Sequence, residues 1–150
     1  MKRRTLLRSV SAAAFLSPLS GGALEGGQET GAGADTVYEL RIYHVVPGKL
    51  DALLARFRDH TDKLFARHGM KSVAYWTPVD EPQKGVTLIY ILQHPSRAAA
   101  TENWKAFQDD PEWKSVKAKS EENGKLAEKI DSTFMSMTDF SPRLGSKLAD

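Results

Sequence analysis

Glu39, Arg41 and Tyr43 alternate through the stretch Tyr38-Glu39-Leu40-Arg41-Ile42-Tyr43, so in an extended chain all three point to one side. A carboxylate, a guanidinium and a phenol on one strand face can orient the polar end of an otherwise apolar molecule, or polarise a substrate and move its protons. The plainer use of the same set is an ion pair that stays solvated or fixes an interface. Tyr75, Trp76 and Tyr90 are further candidates for lining an enclosed space. Adjacent Tyr75 and Trp76 must face opposite sides of their strand, so one of them faces the lumen if a lumen exists. With Trp104 and Trp113 these aromatics serve equally as packing anchors.

The four histidines, His44, His60, His68 and His94, show neither the helical i, i+4 spacing of a zinc pair nor a carboxylate cluster beside them, so no metal site is expected. No cofactor is expected either. Haem would need one histidine facing an apolar pocket, for which His60 and His68 are the candidates. His68, at the end of a helix, also has a simpler use as a cation near the negative end of the dipole. Nucleophile elbows, phosphate-cradling glycine loops and dinucleotide fingerprints are absent from the sequence.

The elements that position these residues follow from the hydrophobic period. Residues 36–46 alternate as a strand, with Tyr38, Leu40 and Ile42 on the apolar face and Glu39, Arg41 and Tyr43 opposite, turned to solvent or into the space between two sheets. After Pro47-Gly48, the residues Leu50, Leu53, Leu54, Phe57, Thr61, Leu64 and Phe65 recur at three and four, one stripe down a helix that ends at His68-Gly69. Residues 70–77 and 86–94 read as a strand pair joined by the turn-rich segment 78–85. Ser96 caps a second helix, Asp110-Pro111 breaks and restarts it, and a final strand runs from about Ile130 to Met137.

The order strand, helix, strand, strand, helix, strand predicts an α+β, ferredoxin-like β-α-β-β-α-β unit with an antiparallel four-stranded sheet and two helices on one face. The other face stays bare. In a sheet this rich in Tyr, Trp, Ile and Met, a bare face predicts a homodimer whose two sheets enclose a shared interior.

Upstream, Lys2-Arg3-Arg4 and Arg8 precede an apolar run from Val10 to Leu19 that is too short and too interrupted to span a bilayer. This pattern is a secretory signal of the twin-arginine class, which implies periplasmic or extracellular export of a folded protein. Ala32-Gly33-Ala34 offers cleavage before Asp35, and Gly21-Gly22-Ala23 competes with it. Residues 1–34 are therefore read as signal and flexible leader, 35–141 as one domain and 142–150 as an irregular tail. Loss of Lys2, Arg3, Arg4, Arg8, Glu25 and Glu29 turns 21 basic and 19 acidic residues into 17 of each. A neutral domain predicts no nucleic-acid partner and no stable membrane insertion once the signal is cut. With no cysteine, stability must come from burial or assembly.

YELRIY at 38–43, PGK at 47–49, LFARHG at 64–69, AYW ending at Trp76, the block from Trp104 through AFQDDPEW to Trp113, and STFMSMTDFSP at 132–142 together resemble the NIPSNAP family. The resemblance spans nearly all of the domain and implies the dimeric α+β barrel superfamily, which includes small cofactor-free monooxygenases and haem-dependent chlorite dismutase-like enzymes. It implies a fold more sharply than a reaction. The chain departs from the animal members in carrying an export signal instead of mitochondrial targeting, and in having a single copy of the domain.

Three functions are then in view. The leading one is an exported homodimer that binds a small, partly apolar ligand in the barrel lumen against Glu39, Arg41, Tyr43, Tyr75, Trp76 and Tyr90. The second is a cofactor-independent monooxygenase or isomerase acting on a small aromatic substrate. The third is a protein-interaction module without a small-molecule site.

Overall fold

Alternation from Val37 to Val45 forms β1, the strand on which the whole sheet is organised. The computed structural model describes residues 35–142 and Leu144. The export signal, both cleavage sites and most of the 142–150 tail lie outside the described residues. Helix α1 (Leu50–Arg56) runs through a π-helical turn at 57–61 into α2 (Asp62–Arg67). Strands β2 (Lys71–Trp76) and β3 (Thr87–His94) follow, then α3 (Arg97–Asp109), α4 (Pro111–Ser120) and β4 (Ala127–Met135).

All three strand pairings are antiparallel, in the order β2-β3-β1-β4. This is the ferredoxin-like arrangement the sequence predicts. β4 begins earlier and ends earlier than its apolar residues imply, because it follows β1 from Val45↔Ala127 to Tyr38↔Met135. A strand persists as long as its partner offers backbone donors and acceptors, whatever its side chains.

Local signals hold where they were strongest. Gly69, at φ +73°, takes the left-handed position that ends α2, and Asn103 Nδ2 donates to its carbonyl at 3.3 Å. Ser96 Oγ accepts from Ala99 N–H at 3.0 Å at the start of α3. Asp110 Oδ1 accepts from Glu112 N–H at 2.7 Å, with Pro111 in the first turn of α4. The π turn was not legible. Thr61 Oγ1 donates to the Arg56 carbonyl at 3.2 Å, five residues back, and helps satisfy a backbone group in the widened turn.

The core lies between helices and sheet: Leu53, Phe57, Leu64 and Phe65 from the first helical unit, Phe107 from α3, and Leu88, Tyr90 and Leu92 from β3, each at most 4 % exposed. These β3 residues stand opposite Tyr43, Arg41 and Glu39. Paired residues share a face, so Glu39, Arg41 and Tyr43 lie under the helices. This reverses the predicted orientation, in which they faced solvent or a second sheet. Leu40 and Ile42 instead sit on the bare side with Ile89 and Ile91, all half-buried. Both faces of β1 carry apolar groups, so alternation separates two faces without saying which one the helices cover.

Candidate functional site

Glu39 is the centre of the covered face, only 1 % exposed. An ionised carboxylate there requires compensation, and four donors supply it. Arg41 Nη1 at 2.9 Å and Ser132 Oγ at 2.6 Å share Oε1, while His94 Nε2 at 3.0 Å and Trp104 Nε1 at 2.6 Å share Oε2. Burial alone would raise the Glu39 pKa, but hydrogen bonds from His94, Ser132, Trp104 and Arg41 outweigh it and hold the group at about 2.

Arg41 is the cation of this cluster, its side chain 16 % exposed. The guanidinium carbon lies 4.4 Å from the Trp104 ring centre and 5.9 Å from that of Tyr43. Burial works against its charge, but the neighbouring phenols Tyr90 and Tyr43 and the bond to Glu39 prevail and raise its pKa. Its Nε is buried and has no partner among the described residues.

An aromatic wall adjoins the cluster. Tyr43 meets Phe57 and Tyr90 at ring separations of 5.6 Å each, and Tyr90 meets Tyr75 at 5.4 Å. Tyr90 Oη donates to Tyr43 Oη at 3.4 Å, a long contact. Tyr75 Oη and Ser72 Oγ both donate to Asp62 Oδ1, at 2.7 and 2.6 Å. Ser72 and Tyr75, three residues apart, share a face because the register shifts between Ser72 and Ala74. Burial raises the phenol pKa of both Tyr75 and Tyr90, so both remain protonated near neutrality.

The helices do not roof all of this face. On β4, Ile130 and Ser132 stand opposite Tyr43 and Arg41 and are exposed, Ile130 by 43 %. Phe134, opposite Glu39, is covered by the Arg97 guanidinium at 3.8 Å. The result is a strip along β4 with Ile130 and Phe134 at its ends and Ser132 between them, opposite Arg41.

Trp76 parts company with the other candidates. It is 47 % exposed on the bare face, in a groove of about 750 Å³ whose walls include Ile42, His44, Ile89 and the 77–83 loop. His44 Nε2 bonds Asp131 Oδ2 at 2.7 Å on that same face. Of the two histidines considered for haem, His60 is exposed and His68 Nε2 is bound to Asp110 Oδ2 at 2.7 Å.

The structure therefore gathers Glu39, Arg41, Tyr43, Tyr75 and Tyr90 on one face and leaves Trp76 on the other. His94, Trp104 and Ser132 are the members that sequence reading did not assign to the site. Ser132 had a usable signal: it interrupts Ile130 and Phe134 on one side of a strand, a polar residue in an apolar row.

Fold and cluster define an α+β, ferredoxin-like protein with a buried Glu–Arg pair beneath its helices. The NIPSNAP family model matches residues 38–142, and the chain belongs to that family. A NIPSNAP family protein of Agrobacterium tumefaciens is similar, with TM-score 0.62 and 21 % identity, over 71 % of this chain and 97 % of the other. A NIPSNAP-like domain protein of Burkholderia xenovorans gives 0.63 and 15 %, over 76 % and 95 %. SnoaB, a cofactor-independent oxygenase of Streptomyces nogalater, gives 0.50 and 15 %, over 73 % and 100 %. At these identities the likeness establishes the fold alone. No curated protein matches the chain.

Proposed function

We propose that this is an exported homodimer, joined through the bare sheet faces, in which each subunit binds a small, partly apolar ligand along the β4 strip with Arg41 at its polar end. The carrying observation is Arg41 itself: a mostly buried guanidinium whose Nε has no protein partner, beside exposed Ile130 and Ser132. A structural ion pair would use more of that group's donors. The proposed ligand site thus lies on the helix-side face of the sheet, at its unroofed β4 edge. The bare face, with Leu40, Ile42, Ile89 and Ile91 at its centre, supports the dimer. Among the described residues no helix is long and apolar enough to cross a membrane.

Oxygenase or isomerase chemistry by Tyr43, Arg41 and Glu39 has less support. A general base works best with a pKa near the operating pH, whereas Glu39 is held at about 2. Its four donors make it a fixed charge and a poor proton acceptor.

Native mass spectrometry of protein purified from the envelope tests the reading. The expected result is a dimer carrying a small-molecule mass. Arg41→Ala should lose that mass and keep the dimer, while Leu40→Asp should yield monomers. A dimer lost through Arg41→Ala would return Arg41 to a structural role. Export is tested separately: replacing Arg3 and Arg4 by Lys in the full chain should retain it in the cytoplasm, and unaffected export would end the twin-arginine assignment.

A further inference from the structure

Glu39 has no acceptor capacity left for a ligand, because each carboxylate oxygen already takes two protein donors. Arg41 is the reverse case. A guanidinium carries five N–H donors; among the described residues Nη1 gives one to Glu39 at 2.9 Å and the Tyr90 phenol also faces the group. Nε is buried without a partner, a costly state unless something else completes it. Trp104 lies against the guanidinium at 4.4 Å and limits how it can turn.

Donors in excess beside a saturated acceptor select a ligand group that accepts and does not donate. A charged guanidinium N–H pairs most strongly with an ionised oxygen acceptor, and a carboxylate supplies one. Charge narrows the class further. Arg41 is balanced in part by Glu39, and the next guanidinium, Arg97, lies over Phe134 and bonds Thr101 Oγ1 at 3.0 Å. One partly compensated cation suits a monoanion better than a phosphate dianion. The exposed Ile130 beside it suits hydrocarbon.

Resting on the ligand-binding reading above, we infer that the ligand class is an apolar monocarboxylate, its carboxylate held at Nη2 of Arg41 and its hydrocarbon laid along β4 over Ile130. Glu39 acts as the positioning residue that fixes the guanidinium from the opposite side. Its own four donors spread its charge away from the incoming anion.

The test is calorimetric titration of the full chain with unbranched carboxylates from butanoate to decanoate and phenylacetate, each against its primary amide, and with inorganic phosphate. Binding should rise with chain length, and each amide should bind about tenfold or more weakly than its acid, the factor set by one charge-assisted hydrogen bond. Arg41→Gln should abolish the preference for acid over amide, and Arg41→Lys should restore part of it. Ile130→Trp fills the strip without touching the buried pair and should abolish binding, which keeps the inference testable if Arg41→Gln fails to fold. Equal binding of acids and amides, a preference that survives Arg41→Gln, or phosphate binding as tight as the best acid would overturn the carboxylate class. If uncharged Nile red binds and Ile130→Trp blocks it while no acid binds, the strip still holds a ligand and only the carboxylate falls. If neither acids nor Nile red bind, the ligand reading falls with it.

Discussion

The two faces of this sheet bury different things. Beneath the helices sits a charged pair, with Glu39 at 1 % exposure, while the uncovered side presents Trp76 at 47 % and half-buried Leu40, Ile42, Ile89 and Ile91. A simple reading of hydrophobicity would exchange them. The charged face is covered because its charges are met: four donors reach one carboxylate, and aromatic rings surround the guanidinium. The apolar face is left uncovered because both helical connections, 50–67 and 97–120, pack on the opposite face. The contrast teaches that hydrogen-bond satisfaction, as well as apolar area, selects the inside of a small α+β unit.

The contrast is broken most severely at Phe65, which is 1 % exposed and contacts Phe57, Tyr90, Trp104 and Phe107. Phe65→Ala should lower the unfolding free energy by about 3–5 kcal/mol, measured by urea denaturation. Trp76→Ala on the bare face should cost an isolated subunit less than about 1 kcal/mol. Equal losses would erase the distinction between the faces.

Acid probes the covered charge next. The folded pKa of Glu39 lies below its ordinary 4.5, at about 2, so the group stabilises the fold above pH 4.5 and loses that contribution as pH falls toward 2. The loss should reach about 3 kcal/mol. Glu39→Gln should flatten this part of the stability profile, and an unchanged acid limb in the variant would show that the charge resides elsewhere.

Smaller effects belong to the helix layer and the rim. Asp110 caps α4 and binds His68, so Asp110→Ala should cost about 1 kcal/mol by thermal denaturation. His44→Ala, at a pair 46 % and 41 % exposed, should cost about 0–1 kcal/mol. A rim loss larger than the cap loss would show that the bare face contributes more to the subunit than its exposure implies.

Much of the architecture could be read directly: Pro47-Gly48, Gly69, Ser96 and Asp110-Pro111 punctuate the chain where the elements change. Five of the six candidate lining residues do come together, Glu39, Arg41, Tyr43, Tyr75 and Tyr90, because alternation carries one parity along paired strands. Trp76 was separated from them by the same rule. The π turn at 57–61 escaped, since an apolar stripe tolerates one widened turn without losing its face.

What the chain determined alone was local: which segments extend, which coil and where each stops, because caps, turns and periodicity act over a few residues. Tertiary structure decided which face of β1 is covered and what becomes of its charge. Glu39 finds its partners 55, 65 and 93 residues away, at His94, Trp104 and Ser132. Only when strands and helix close on one another do those donors converge, and only their convergence makes a buried carboxylate tolerable and leaves Arg41 with donors to spare.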